Sequence, residues 1–242
     1  MYRLVSFILV ALLLAACGGA ATPEVLPEPI ELLTEAATNI RASNTLRLAV
    51  ERTGADYEIE TDFGGVNFKR AVAQYIAPDM LQATVRVLAA GLPIDVDIFS
   101  KGDNQWFRGI WTTNIWVNAL FAPGFNPEAL ISQETGFQAA LQSLIDIGTP
   151  TLTELEDGTQ VYQLSGTARG EDITALMVGL IEASGNVLVD VFIDRALLLP
   201  VRFVIVQPET VTDTEPEPTT WTVDVYDINA EPELNAPPEG IQ

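Results

Sequence analysis

Apolar and polar residues alternate at a spacing of two over most of this chain. In 45–51, single polar or small residues separate Leu46, Leu48 and Val50, and 92–100 has the same pattern. That alternation is typical of antiparallel strands with one buried face. Because short turn sequences separate them, neighbouring strands should pair in a meander. Further strands are predicted at 57–63, 66–76, 81–90, 104–108, 115–119, 151–156, 160–168, 188–194, 201–206 and 221–228.

Three segments have an apolar period near 3.6 instead, at 29–43, 136–147 and 171–184, and each predicts a helix with one apolar stripe. A short helix is expected at 127–131, with Asn126 as its N-cap and a proline at its first position. The fold class is therefore α+β, a long antiparallel sheet with helices on one face. About ten strands is near the limit for an open sheet, so we expect strong curvature. The pattern leaves open whether sheet and helices enclose a cavity or a filled core.

The N-terminus has a short apolar run, 4–16, that ends in Leu-Ala-Ala before Cys17, the single cysteine. The run is shorter than the roughly 20 residues of a membrane span and is typical of a signal peptide. Its end resembles the bacterial lipobox, in which a diacylglyceryl group is attached to the thiol and cleavage leaves the cysteine first. The alternative is an ordinary secretory signal with an incidental cysteine. The predicted division is a signal peptide at 1–16, a lipidated Cys17 with a flexible tether at 17–28, a domain at 29–229 and a Pro-rich acidic tail at 230–242.

The charge balance limits the partners. Twelve Lys and Arg against 33 Asp and Glu give a formal net charge of −21. Such a surface repels nucleic acid and gains nothing from anionic headgroups. We therefore expect no nucleic-acid partner, and membrane contact through the lipid on Cys17. The domain would then be lipid-anchored to the cell membrane on its extracytoplasmic side.

Candidate catalytic chemistry is sparse, because the chain has no histidine. Asp95 and Asp97 are a carboxylate pair of the kind that hydrolyses glycosides, but their spacing on a predicted strand is that of a solvated face. The acidic clusters lack the spacing of a calcium loop. We expect no enzyme activity, no metal and no cofactor.

Several stretches occur in the order found in one known family. After the lipobox cysteine and an opening helix come "IAPDMLQATVRVLAAGLPIDVDIFSKGDNQWFRGIWTT", "FNPEALIS", "GFQAALQSL", "DGTQVYQLSGT" and "VDVFIDRALLLPVRF". Together they resemble the LppX/LprA/LprF/LprG lipoproteins, which have the half-barrel fold of the carrier LolA. The resemblance implies a LolA-like domain that carries acyl chains of lipids or lipidated glycans in an apolar cavity through the cell envelope. It names no catalytic residues, and an envelope transporter is a further possible partner. The acidic loop 208–218 and the Pro-rich tail depart from the family.

The cavity is expected under the helices 136–147 and 171–184, although for each lining residue ordinary core packing is the alternative. A cluster at Trp106, Trp111, Trp116, Phe107 and Phe121 fits either a pocket mouth or a core. A regulatory or structural lipoprotein of the same fold, which senses a lipid or binds a protein without transport, is the competing function. The apolar residues predicted to line the cavity are, on the strands, Ala71, Ala73, Val85, Val87, Ala89, Ile94, Val96 and Ile98, and on the helices, Phe137, Leu141, Leu144, Ile173, Leu176, Met177 and Leu180.

Overall fold

Twelve antiparallel strands form one open sheet in a computed structural model that describes residues 25–61, 64–122, 124–132, 134–176 and 183–238. The strands are β1 Thr45–Thr53, β2 Glu58–Thr61, β3 Gly64–Ile76, β4 Met80–Ala89, β5 Leu92–Lys101, β6 Asn104–Arg108, β7 Val117–Asn118, β8 Thr151–Glu154, β9 Gln160–Arg169, β10 Asn186–Asp194, β11 Pro200–Gln207 and β12 Thr219–Tyr226. Their order across the sheet is β7-β6-β5-β4-β3-β1-β12-β11-β10-β9-β8, and β2 pairs with residues 64–67 of β3.

The two faces of the sheet follow from the alternation in β1. Leu46, Leu48 and Val50 are buried, whereas the residues between them are more exposed. The same face is apolar on the neighbouring strands, because Leu48 lies opposite Ala73 of β3 and Val225 of β12. We call the face that bears these apolar side chains the inner face, and the opposite one the outer face.

The helices lie on the inner face. They are α1 Pro29–Arg41, α2 Gly136–Ser143 and α3 Gly170–Leu176. Helix α1 packs on α2, α2 packs on α3, and the group covers the half of the sheet that contains β9 to β11. Of the apolar stripe predicted from the spacing in α1, Leu33, Ala37 and Ile40 are buried, Ile40 completely, whereas Ile30 in the first turn is 66% exposed. The α+β class with an antiparallel sheet and helices on one face is confirmed. None of the helices in the described segments has the length and hydrophobicity to cross a bilayer.

Two predicted helices differ from the observed ones. Helix α2 ends at Ser143 rather than 147, because the backbone of Ile145 pairs with Thr167. The N–H of Ile145 donates to the carbonyl of Thr167 at 2.8 Å, and the carbonyl of Ile145 accepts the N–H of Thr167 at 2.9 Å. Of the predicted helix 171–184, the structure describes a helix only to Leu176, and residues 183–184 are not helical. The short helix is confirmed as a 3-10 turn, with the Asn126 side chain accepting from the N–H of Glu128 at 3.0 Å.

The C-terminal tail returns across the outer face as far as the structure describes it. The hydroxyl of Thr45 donates to the carbonyl of Ala230 at 2.7 Å. The N–H of Asn235 donates to the Gln82 side chain at 2.7 Å, and the Gln82 amide donates to the carbonyl of Glu233. The tail therefore packs on β1, β3 and β4. The predicted signal peptide, Cys17 and most of the tether lie outside the described residues.

Candidate functional site

All eight strand residues predicted to line a cavity lie on the inner face. Successive registers join them into rows that run across the sheet at right angles to the strands. The central row, here the apolar row, contains Leu48, Ala73, Ala83, Ile98, Phe107 and Val117, one from each of β1, β3, β4, β5, β6 and β7. A second row joins Val50, Ala71, Val85 and Val96. Beyond it Val87 lies opposite Ile94, and Ala89 opposite Leu92.

Burial falls along the apolar row. Leu48, Ala73 and Ala83 are buried, Ile98 and Phe107 are half-buried, and Val117 at the edge is 39% exposed. The second row behaves similarly, because Val85 and Val96 are half-buried although they share their face with the core. The helices cover the other half of the sheet, so this half keeps an apolar surface that is only partly covered. We call the inner face of β3 to β6 the wall.

The helix residues predicted to line a cavity are packed instead. Phe137, Leu141, Leu144 and Ile173 are buried in the core. The void that α2 and α3 enclose with β10 and β11 measures about 10 Å³. That volume holds at most about one water molecule. The expected open cavity beneath these helices is therefore not present among the described residues, because their apolar stripes interdigitate with the strands below.

The predicted residues fall into two separate groups. The strand group occupies β3 to β5, and the helix group covers β9 to β11, with β1 and β12 between them. Both groups belong to one continuous core. Leu176 is the last described residue of α3, and Met177 and Leu180 lie outside the described residues.

The aromatic residues do not form one cluster. Trp106 faces outward and packs against Phe99, with ring centroids 5.8 Å apart. Trp116 is also on the outer face, where the guanidinium of Arg108 lies 4.8 Å from its ring centre. Phe107 faces inward and belongs to the wall. Of the aromatic residues predicted to form a pocket mouth, Phe107 therefore lies on the wall, whereas Trp106 and Trp116 lie on the opposite face.

The outer face carries the charges. Asp95 and Asp97 both point outward, and Arg86 contacts Asp95 at 2.7 Å while Arg108 contacts Asp97 at 2.8 Å. The hydrogen bond from Arg86 lowers the pKa of Asp95 below its usual value. A general acid for glycoside cleavage needs a raised pKa, so this pair is not arranged for that chemistry. The described residues also contain no group of three or more acidic, cysteine or histidine side chains that would hold a metal.

A polar pocket of about 210 Å³ lies between the tail and the sheet. Outward-facing side chains of Arg47, Gln74, Gln82 and Asp97 contribute to its lining. It lies on the face opposite the wall, and its polar groups make it unsuited to an acyl chain.

Two solved structures share this arrangement. LprF from Mycobacterium bovis superposes with a TM-score of 0.60 at 14% identity, over 90% of this chain and 99% of LprF. The fold is that of LprF and LppX. The lipoprotein LppX from Mycobacterium tuberculosis gives a TM-score of 0.57 at 16% identity, over 86% of this chain and 98% of LppX. The likeness expected from the sequence is thus confirmed at the level of the fold. No family model matches the sequence, and no curated protein matches it.

Sequence reasoning missed the edge of the wall. Val117 was placed on a predicted strand, but nothing assigned it to the same face as Ile98. The pattern of 115–119 gives no signal for the face, because Ile115, Trp116 and Val117 are all apolar. Only the register between β6 and β7 shows that Phe107 and Val117 face each other on the inner side.

Proposed function

We propose that this chain is a membrane-anchored lipoprotein that binds acyl chains of lipids or lipidated glycans on the wall and carries them within the cell envelope. The observation that carries the proposal is the apolar row, which continues from the core to a half-buried surface and an exposed edge. The shared fold with the lipoprotein LppX supports it.

The chemistry of an acyl chain fits such a surface. Each CH₂ moved from water to apolar surroundings gains about 0.8 kcal/mol, so a sixteen-carbon chain exposed to water would cost roughly 12 kcal/mol. A carrier must offset that cost with apolar contact. Alanine and valine at Ala71, Val85 and Val96 provide apolar contact while leaving volume above the sheet. Binding needs no cofactor, metal or catalytic group.

The wall is a better site than the space beneath the helices. The void of about 10 Å³ there has no room for a chain unless α2 and α3 move away from the sheet. The wall residues Val96 and Ile94 are accessible without such a movement. We therefore place the bound acyl chain on β3 to β5, and the helix residues contact it only if the helices separate from the sheet.

The anchor completes the proposal. A diacylglyceryl group on Cys17 would hold the domain at the extracytoplasmic side of the cell membrane. The tether 17–28 would reach at most about 40 Å when extended, so the wall stays near the bilayer from which chains are taken. An envelope transporter would then deliver or receive the lipid.

A second candidate function is a structural or regulatory lipoprotein of the same fold that transports nothing. The close packing of Leu141 and Ile173 over β10 and β11 favours it, because a filled core requires no ligand. The two functions differ in whether lipid accompanies the protein.

The test is to purify the full chain, extract it with organic solvent and identify co-purified lipid by mass spectrometry. Native mass spectrometry with added palmitic acid then measures binding directly. The carrier predicts bound acyl lipid in the extract and saturable binding of palmitic acid. A lipid-free protein that does not bind palmitic acid would establish the structural alternative.

A further inference from the structure

Residues 109–122, here the edge segment, expose apolar side chains along one margin of the sheet. Ile110, Ile115 and Leu120 are each more than 60% exposed, and Phe121 is 36% exposed. All four come from the 14 residues that follow β6 and include β7. Large apolar side chains exposed in one short stretch of chain are characteristic of a surface that contacts another molecule.

Hydrogen bonds hold the edge segment in place at both ends. The N–H of Asn114 donates to the carbonyl of Gly109 at 2.8 Å. This hydrogen bond closes a tight turn that contains Ile110 and is followed directly by Ile115. At the other end, the Gln105 amide donates to the carbonyl of Ala122 at 2.7 Å and accepts its N–H at 2.9 Å. The apolar side chains are therefore presented by a positioned backbone.

The edge segment is uncharged. Residues 109–127 contain no Asp, Glu, Lys or Arg, although the chain carries 45 such residues in 242 (12 basic and 33 acidic). Trp111 within it is half-buried, whereas Trp116 is 7% exposed and packs on the outer face. Insertion into a bilayer penalises charged groups, so the lack of charge suits contact with neutral lipid.

The edge segment also adjoins the wall. Val117 lies opposite Phe107, and this pair ends the apolar row. An acyl chain that leaves a bilayer at this margin would meet apolar side chains without crossing water. Protein interfaces commonly have a rim that includes charged residues, and 109–127 contains none.

We infer that the edge segment is a bilayer-contacting surface, which inserts Ile110, Ile115 and Leu120 into the interfacial region of neutral phospholipid and opens the wall towards it. The inference rests on the proposed function, because it names the place where that function would take up its ligand. It adds a second membrane contact to the lipid expected on Cys17.

The test uses the full chain in which Cys17→Ser removes the native thiol. Leu120→Cys is labelled with an environment-sensitive fluorophore, and Leu197→Cys in the turn after β10 is the matched control, since the two leucines are 63% and 64% exposed. Phosphatidylcholine vesicles should raise and blue-shift the emission severalfold at position 120 and leave position 197 unchanged. The effect should persist at high salt, because no charge pairs contribute.

Equal responses at the two positions, or none at 120 while the chain floats with the vesicles, would overturn the inference. So would a response at 120 that grows with protein concentration in the absence of vesicles, which would show a protein interface. Native residues outside the described part are the same in both labelled chains, so their own contact with lipid cancels in the comparison.

A second measurement separates this inference from the proposed function. Leu120→Asp should slow the uptake of acyl lipid from vesicles about tenfold while binding of palmitic acid from solution is unchanged. Unchanged uptake in Leu120→Asp would contradict the inference alone. If the unsubstituted chain fails to bind palmitic acid, the proposed function fails, whatever the fluorophore at position 120 reports.

Discussion

Val96 lies directly opposite Val85 in the register of β5 and β4, and both side chains point to the inner face, where they are half-buried. A larger side chain here would occupy the space above the wall without entering the packed core. We expect Val96→Trp to weaken palmitic acid binding roughly tenfold, which corresponds to about 1.4 kcal/mol, because it fills the site. Native mass spectrometry measures the occupancy, and a thermal melt should show little change.

The matched control is Val72→Trp. Val72 is on β3, points to the outer face and is 49% exposed. This substitution adds the same bulk outside the wall, so it should leave palmitic acid binding unchanged. Equal binding by the two variants would remove β5 from the site.

Val87 tests where the wall becomes core. It faces inward, but it is only 5% exposed, unlike Val96. Val87→Trp should therefore overpack the interior and lower the free energy of unfolding by about 1–3 kcal/mol. Urea denaturation gives the value. A variant of unchanged stability would mean that the space around Val87 is open, and would extend the site along β4 from Val85 to Val87.

Gly136 is required where α2 begins. Its φ is +72°, and a Cβ there would lie 2.2 Å from the carbonyl oxygen of Leu130. Gly91 has a similar φ of +79° but open space around it. Gly91→Ala should cost only the backbone strain of about 1–2 kcal/mol, and Gly136→Ala distinctly more. Denaturant melts of the two variants measure the loss in the free energy of unfolding. Equal losses would show that the 3-10 turn moves away from the added Cβ at position 136 without a loss of stability.

The ion pairs of Asp56 make the free energy of unfolding decrease as the pH is lowered into the acid range. Its carboxylate accepts hydrogen bonds from Lys69 at 2.9 Å and Arg52 at 2.6 Å, and the Lys69 hydrogen bond is the main cause that lowers its pKa below the usual 3.8. Because the Asp56 carboxylate binds a proton more tightly in the unfolded chain than in the folded one, the ion pairs stabilise the fold fully at pH values above the pKa of Asp56 in the unfolded chain. This stabilisation disappears as the pH falls through the lower folded pKa.

Asp56→Asn should therefore reduce the free energy of unfolding at about pH 6 by up to about 1 kcal/mol, since the carboxylate is half-exposed, and the difference from the unsubstituted chain should shrink near pH 2.5. Urea melts at both pH values measure it. Asp213→Asn, in the exposed acidic loop, removes one negative charge as a control. A difference that does not change with pH would show that the ion pair contributes nothing.

Cys17 is predicted to carry a diacylglyceryl group after removal of 1–16. Intact-mass measurement of protein from the membrane fraction should show the cleaved, lipidated chain. Cys17→Ser should instead give unprocessed or released protein. An unmodified thiol in the mature protein would contradict the lipobox and favour an ordinary secretory signal.

The alternation in β1 and β5 was sufficient to predict the sheet, because a strand with one buried face has a local period that does not depend on its partners. The stripe of α1 and the cap at Asn126 were likewise readable from neighbouring residues. The alternation of Ile94, Val96 and Ile98 with Asp95 and Asp97 also predicted that Val96 lies on the buried face. The sequence could not predict which residues lie beside it. Only the pairing of Val96 with Val85, itself aligned with Ala71 and Val50, joins these side chains into one row.

The length of α2 and the closed space beneath it depended on tertiary structure. The pattern of 136–147 allows a longer helix, but the backbone of Ile145 pairs with Thr167, which is distant in sequence. The same apolar stripe would suit a cavity lining or a filled core, since hydrophobicity specifies burial and not the shape of the opposing surface. The sequence thus determined which residues avoid water, and the packing of α2 and α3 on β10 and β11 decided that the space there is filled while the wall at β3 to β6 stays partly open.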